Sequence, residues 1–558
     1  MYEQGQLWIA QNEKGERICM SPALLNRHGL VAGATGTGKT VTLKVMAESF
    51  SDMGIPVFLA DVKGDLSGCA LPGADNENML ARKAKFGLDA TSFSYRGYPV
   101  TFWDIFGEKG IPLRTTISEM GPLLLARLMD LNDLQTDILN IVFKIADDCR
   151  LLLVDTKDLK AMLNYVAENS SEFETDYGKM SSVSIAAIVR AVVALEIAGG
   201  DTFFGEPALK VTDWFSVSPE GKGMINVLDS SSLIQNGTLY STFLLWLLSE
   251  LFETLPEVGD LDKPKMVFFF DEAHLLFKDA PKALLDKIEQ VVKLIRSKGV
   301  GIYFCTQNPK DIPGGVLAQL GNKVQHALHA YTPAEQKGVK AAAESFRENP
   351  EFNTYETIMS LGTGEAVISF MGEDGVPQIV QRAWILPPMS FMGPIDDARR
   401  DASIKGSLLY TKYANSYDPD SAYEFLERKG IADAEEKERL LQEENERKQR
   451  EKEEKEALKQ QQKEEAAAQR EAIREEKAAQ KAEEMKQRKA EREKELREKA
   501  AQRQKDRAVK SVGNTVAGTV GRELGKQAGK SFGKFGKTLG GNVGASLGRG
   551  LFGNLFKS

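Results

Sequence analysis

The sequence predicts an α/β fold built on a mainly parallel sheet, and three observations carry that prediction. First, Gly33-Ala34-Thr35-Gly36-Thr37-Gly38-Lys39-Thr40 fits the phosphate-loop pattern G-x-x-x-x-G-K-[ST] at every fixed position. It stands between an apolar run, Gly29 to Ala32, and a helix-like run, Val41 to Phe50, which is the strand–loop–helix context the pattern requires. Second, short apolar runs alternate with helical stretches, the signature of parallel strands joined by crossovers. Third, Val267-Phe268-Phe269-Phe270 reads as a buried strand that ends on two acids, Asp271-Glu272.

In chain order, residues 1–27 read as a short β lead-in (Leu7 to Ala10, Arg17 to Met20). Residues 28–117 and 220–395 read as the α/β core. Its strands are the one entering the phosphate loop, Pro56 to Asp61, Val100 to Asp104, Met224 to Asp229, Lys265 to Glu272, Val300 to Gln307 and Val324 to His329. Gly364 to Phe370 and Gln378 to Ile385 form a closing hairpin. Residues 118–219 read as a mainly helical insertion, because Leu124, Leu128, Leu131, Leu134, Ile138 and Val142 recur at helix-face spacing. Residues 396–433 are a linker.

Two changes of composition follow. Residues 434–510 are dominated by Glu, Lys, Arg, Gln and Ala, with no sustained a/d seam. Glu–Lys pairs at i,i+4 suit a solvated single helix, and a weak coiled coil is the alternative. Residues 511–558 are basic and rich in glycine. Gly521, Gly525, Gly529 and Gly533 fall at every fourth position, and so do Gly536, Gly540, Gly544 and Gly548. Such a stripe suits helix self-association or a membrane surface, and a flexible tail is the bland reading.

The 558 residues exceed one ordinary domain, and 42% apolar residues suffice for a large core. A formal net charge of −8 argues against a wholly basic nucleic-acid coat. Cys19, Cys69, Cys149 and Cys305 lack metal or disulfide spacing, which points to a reducing, cytoplasmic setting. The first residues do not read as a secretory signal. No run of about 18 apolar residues is apparent, so no conventional transmembrane helix is expected.

The chemistry predicted from these residues is nucleoside triphosphate hydrolysis. Backbone N–H groups of Gly33 through Thr40 would converge on phosphate oxygens at a helix N-terminus. Lys39 would reach the β- and γ-phosphates, and the Thr40 hydroxyl would ligate Mg²⁺. Asp271 would hold Mg²⁺ through its water shell, and Glu272 would polarise the attacking water. Gln307, ending the next strand, would report on the γ-phosphate. Lys63 and Asp65 lie at a strand's C-terminal end, where α/β ligand sites form. His326 and His329 are spaced H-x-x-H but lack a third ligand, so ordinary strand residues are expected there rather than zinc. His274 follows the acid pair.

Four stretches together resemble the HerA/FtsK group of hexameric P-loop ATPases, and within it the HerA-like proteins of the YjgR-like DUF853 family. They are His28 to Val31 before the loop, Asp61-Val62-Lys63-Gly64-Asp65-Leu66-Ser67-Gly68, Asp271-Glu272-Ala273-His274, and Thr306-Gln307-Asn308-Pro309. The resemblance covers about residues 5 to 395. It implies a RecA-like core using ATP and Mg²⁺, a homo-oligomeric ring, commonly a hexamer, with ATP between subunits, and in some relatives pumping or unwinding of double-stranded DNA. It also implies that Arg296 reaches a neighbour's nucleotide site, although an arginine at a helix C-terminus is favourable anyway. Arg382 is a weaker candidate for a subunit-bridging contact. The departures are the short lead-in, where HerA proteins carry a substantial β-barrel, and the added insertion and tail. Three outputs therefore stand open: a DNA motor, an assembly or scaffolding ATPase tied through its tail to a membrane surface or a protein partner, or a nucleotide-gated binding module that hydrolyses ATP slowly.

Overall fold

The computed structural model describes residues 1–498 apart from 260, 279 and 281. Met1–Leu440 forms one compact unit and the chain from Leu441 a second.

Thirteen strands in the described residues form one sheet. They are β1 (Tyr2–Glu3), β2 (Gln6–Asn12), β3 (Arg17–Met20), β4 (Gly29–Ala32), β5 (Val57–Asp61), β6 (Val100–Asp104), β7 (Ile111–Pro112), β8 (Ile225–Asp229), β9 (Met266–Phe270), β10 (Val300–Thr306), β11 (Asn322–Gln325), β12 (Glu365–Ser369) and β13 (Gln381–Ile385). The order is β1-β2-β13-β12-β11-β4-β10-β9-β5-β8-β6-β7, with β3 against β2. From β11 to β7 every pairing is parallel, and from β1 to β12 every pairing is antiparallel. The lead-in is therefore an extension of the core sheet, joined to it through β13.

Parallel strands are covered on both faces and so read as unbroken apolar runs. In β9 all five residues are buried. Alternation sends Phe269 to one face, where it stacks on Phe50 of the helix Lys39–Asp52 at 5.9 Å between ring centroids. It sends Phe268 and Phe270 to the other, where both meet Phe58, itself stacked on Trp214.

The helical stretch between β7 and β8 runs from Ile117 to Phe203, with a 3-10 turn at Val211–Trp214. Its two ends are zipped together. The Thr115 N–H donates to the Phe203 carbonyl at 3.0 Å, Gly205 to Thr115 at 2.9 Å and Leu209 to Arg114 at 2.8 Å. Within it, Ser182–Phe203 is by length and average composition alone apolar enough to cross a membrane. The run is interrupted by polar residues such as Arg190 and Glu196, so only its average reveals it. Ile185, Ile188, Val192 and Leu195 form its buried face, and it packs on helices Asp133–Asp148 and Thr156–Glu168. Helices of globular cores share that composition.

Residues 396–433, expected as a linker, are packed. Arg400, in the helix Asp397–Gly406, makes a buried ion pair with Asp229 at 2.8 Å. Tyr413 is buried edge-on to Trp103, and the Ser421 hydroxyl donates to Asp158 at 2.7 Å. Helix Ala422–Glu498 then begins, earlier than position 434. From Glu427 onward its described residues are exposed, and pairs such as Lys448–Glu444 (2.9 Å) line it. The expectation for residues 511–558 lies outside the described residues.

Candidate functional site

Strand register brings the sequence motifs together. Thr306 pairs with Ala32 across β10 and β4, so the next residues, Gln307 and Gly33, are level. Phe304 pairs with Phe270 across β10 and β9, so Asp271 follows level with Cys305 and Glu272 with Thr306. Neighbouring strands lie about 4.8 Å apart. The phosphate loop and the acid pair, on either side of β10, are thus about 10 Å apart with Gln307 between them.

The loop runs from β4 into the helix Lys39–Asp52, whose first N–H groups point toward the sheet's C-terminal edge. Gly38, the residue before the helix, has φ +117, a conformation that side chains rarely adopt. At Gly33 a Cβ would stand 2.5 Å from the His326 Cβ, so no larger residue fits. The Lys39 ammonium donates to the carbonyls of Gly33 at 2.6 Å and Ala34 at 3.1 Å. The Thr37 hydroxyl donates to Ala34 at 2.7 Å, while Thr35 and Gly36 are exposed and Thr40 half-buried.

Asp271 is buried. Burial first, then the neighbouring Glu272 charge, push its carboxyl above the usual range, while Lys39 acts in the opposite sense. Its Oδ1 accepts from the Glu272 N–H at 2.9 Å. Glu272 has φ +48. Both of its carboxylate oxygens lie 3.4 Å from Gln307 Nε2, a long contact, and His274 Nδ1 stands 3.3 Å from Oε2 without hydrogen-bond alignment.

His326 supports the loop from beneath, where the sequence suggested only an ordinary strand residue. Because Gln325 pairs with Ala32, His326 falls level with Gly33. Its Nδ1 lies 2.8 Å from the Glu365 carbonyl and so carries the proton, leaving Nε2 to accept from the Thr42 hydroxyl at 2.8 Å. Burial, and secondarily Lys39, bring its pKa down to about 4. With both nitrogens engaged it offers no lone pair to a metal, and His329 is exposed. The neighbouring Gly364 N–H donates to the Thr37 carbonyl at 2.9 Å, tying the start of β12 to the loop.

Lys63 is exposed and Asp65 half-buried in the loop after β5. There the buried Asp61 accepts from Gly64 (2.8 Å) and Ser67 (3.0 Å), and burial, then Asp65, push it up to about 7.

Arg296 is not brought to this site. It lies in the turn Ile295–Lys298 just before β10, at the opposite edge of the sheet. Seven strand residues at about 3.3 Å each put it about 20 Å from Gln307. There it lines a cavity of about 350 Å³ with Arg27, Lys293 and Lys323. Lys323 donates to the Ser345 carbonyl at 2.9 Å and burial lowers its pKa, and Lys293 pairs with Glu289 at 2.6 Å. Arg382 is held within the chain by Glu365 at 2.8 Å and Glu13 at 3.5 Å. A groove of about 1260 Å³ lies between the lead-in and the β12–β13 hairpin and touches none of the loop residues.

The chain is similar to known proteins over much of its length. Residues 6–538 match the family model described as helicase HerA-like, C-terminal. Among curated proteins, the DNA double-strand break repair helicase HerA of Sulfurisphaera tokodaii is 22% identical over 349 residues, 62% of each chain. That of Sulfolobus acidocaldarius is 22% identical over 362 residues, 63% of each. The chain thus spans somewhat less than two thirds of these relatives' length. Among solved structures, the bacterial conjugative coupling protein TrwB aligns with TM-score 0.42 at 16% identity, over 68% of this chain and 89% of its own. VirB4 of Thermoanaerobacter pseudethanolicus aligns with TM-score 0.44 at 14% identity, over 69% and 97%.

Proposed function

Since the chain belongs to the HerA-like helicase C-terminal family, we propose that it is a Mg²⁺-dependent ATPase that works as a homo-oligomeric ring, a hexamer, on double-stranded DNA. The observation that carries the hydrolytic part is the register of β4, β10 and β9, which sets the phosphate loop, Gln307 and the acid pair side by side.

Lys39 caps two loop carbonyls, and phosphate oxygens compete for the same ammonium with full negative charge. The donor set suits Mg²⁺, which takes one or two protein oxygens and completes its octahedron with water and phosphate. The Thr40 hydroxyl and Asp271 would hold it, and the bound ion would neutralise charge on the phosphate oxygens. Among the described residues no three His, Cys, Asp or Glu side chains converge, as an all-protein cage would need. Glu272 accepts the proton of the attacking water, and Gln307 orients the water beside it.

Arg296 acts in trans. About 20 Å of strand separates it from its own loop, which suits a residue that serves a neighbour's site rather than its own. The cations of Arg27 and Lys323 in the same cavity favour an arriving phosphate.

ATP turnover measured with and without duplex DNA, alongside native mass, tests substrate and ring together. Stimulation by duplex and a six-fold mass are expected. A monomer whose turnover ignores DNA would contradict both parts. Mixing Arg296→Ala with Lys39→Ala subunits should give non-additive activity, and simple additivity would remove Arg296 from the shared site.

A further inference from the structure

We propose that Tyr240 is a positioning residue that holds Glu272 in its working conformation. The inference rests on the reading of Glu272 as the group that activates water. At φ +48 the Glu272 backbone occupies the left-handed region, which is unfavourable for a residue with a Cβ. Such a conformation persists only where surrounding contacts enforce it.

Three contacts do so. The Glu272 N–H donates to Asp271 Oδ1 at 2.9 Å, and the Ala273 N–H donates to the Cys305 carbonyl at 2.9 Å. Both come from the strand ends themselves. The third comes from outside: the Tyr240 hydroxyl donates to the Asp271 carbonyl at 2.7 Å, pinning the peptide plane that joins Asp271 to Glu272. Tyr240 is a fixed post. It is fully buried in the helix Gly237–Thr254, whose N-terminus is capped by Asn236.

Without that hydroxyl the peptide is free to rotate, Glu272 relaxes toward negative φ, and its carboxylate leaves Gln307. A buried tyrosine also needs an acceptor merely to satisfy its own hydroxyl. That alternative predicts an effect on stability alone.

The test is a cycle of Tyr240→Phe, Glu272→Gln and the double variant. It is read by MgATP turnover, by affinity for a slowly hydrolysed ATP analogue and by thermal midpoint. Tyr240→Phe should lower kcat about 3- to 10-fold, the worth of one buried hydrogen bond, with KM and analogue affinity within about twofold of wild type. In the Glu272→Gln background it should cost nothing further, because its effect passes through Glu272. Unchanged kcat in Tyr240→Phe beside an inactive Glu272→Gln overturns the proposal, as do losses that multiply in the double variant. Loss of analogue affinity in Tyr240→Phe overturns it too, since the hydroxyl would then support the fold or the loop instead. Full turnover by Glu272→Gln alone overturns the catalytic reading of Glu272, a result distinct from failure of the Tyr240 step.

Discussion

Lowering the pH should weaken this protein through His326, and by an amount the structure sets. The ring is fully buried beneath Gly33, donates from Nδ1 to Glu365 and accepts at Nε2 from Thr42. Burial penalises the charged ring first, and the Lys39 cation nearby opposes a second positive charge. Its pKa therefore falls from 6.5 to about 4 in the folded chain. Above pH 6.5 both states carry a neutral ring and stability is unaffected. Below it the unfolded state takes up the proton and the folded state does not, so stability falls until about pH 4. Each pH unit in that window is worth about 1.4 kcal/mol, so His326 removes about 2 kcal/mol between pH 6.5 and 5. His28 is held down to about 4 by burial in the same way, so the contribution of His326 must be read by difference. Urea unfolding at pH 7 and pH 5 should show wild type losing about 2 kcal/mol more than His326→Gln. With four histidines in the chain, ring signals can be assigned by substitution and the titration followed by NMR. A His326 ring that titrates near 6.5, or parallel stability curves, would refute the reasoning.

Other perturbations test other parts. Arg400→Ala leaves Asp229 ionised and buried without its partner, and should cost about 3 kcal/mol by chemical denaturation at pH 7. The loss should shrink as pH falls and Asp229 takes up a proton; a loss below about 0.5 kcal/mol at pH 7 would mean that solvent already screens the pair. Lys39→Ala removes two charge-assisted hydrogen-bonding positions and should weaken binding of a fluorescent ATP analogue at least about 100-fold, while wild-type affinity would deny the loop its role.

What could be read from the sequence, and what could not, divides along chain separation. The phosphate loop, the acid pair and the strands are local patterns, in which each apolar run or glycine constrains its immediate neighbours. The hairpin Gly364 to Ile385 was legible for the same reason, and β12 and β13 do pair antiparallel there. His326 was not legible. Its meaning comes from the pairing of Gln325 with Ala32, nearly 300 positions away, and H-x-x-H drew attention to the wrong partner. Tyr240 is hidden in the same way, as one more apolar position of a leucine-rich helix until Asp271 is placed beside it. Residues 396–433 looked like a linker because their contacts, Arg400 to Asp229 and Ser421 to Asp158, are made by single polar side chains without periodicity. Arg296 was placed by resemblance alone, and strand length then explains why its own loop lies beyond reach.

The zipped ends of the helical stretch have a consequence for how this chain could vary. A segment that leaves the sheet after Arg114 and returns by Leu209 through a shared backbone ladder occupies a single doorway. Lengthening, shortening or exchanging what lies beyond that doorway leaves the strand order on either side untouched. The stretch is a natural splice site, at which relatives could trade accessory lobes and an engineer could graft a reporter while the nucleotide machinery stays in register.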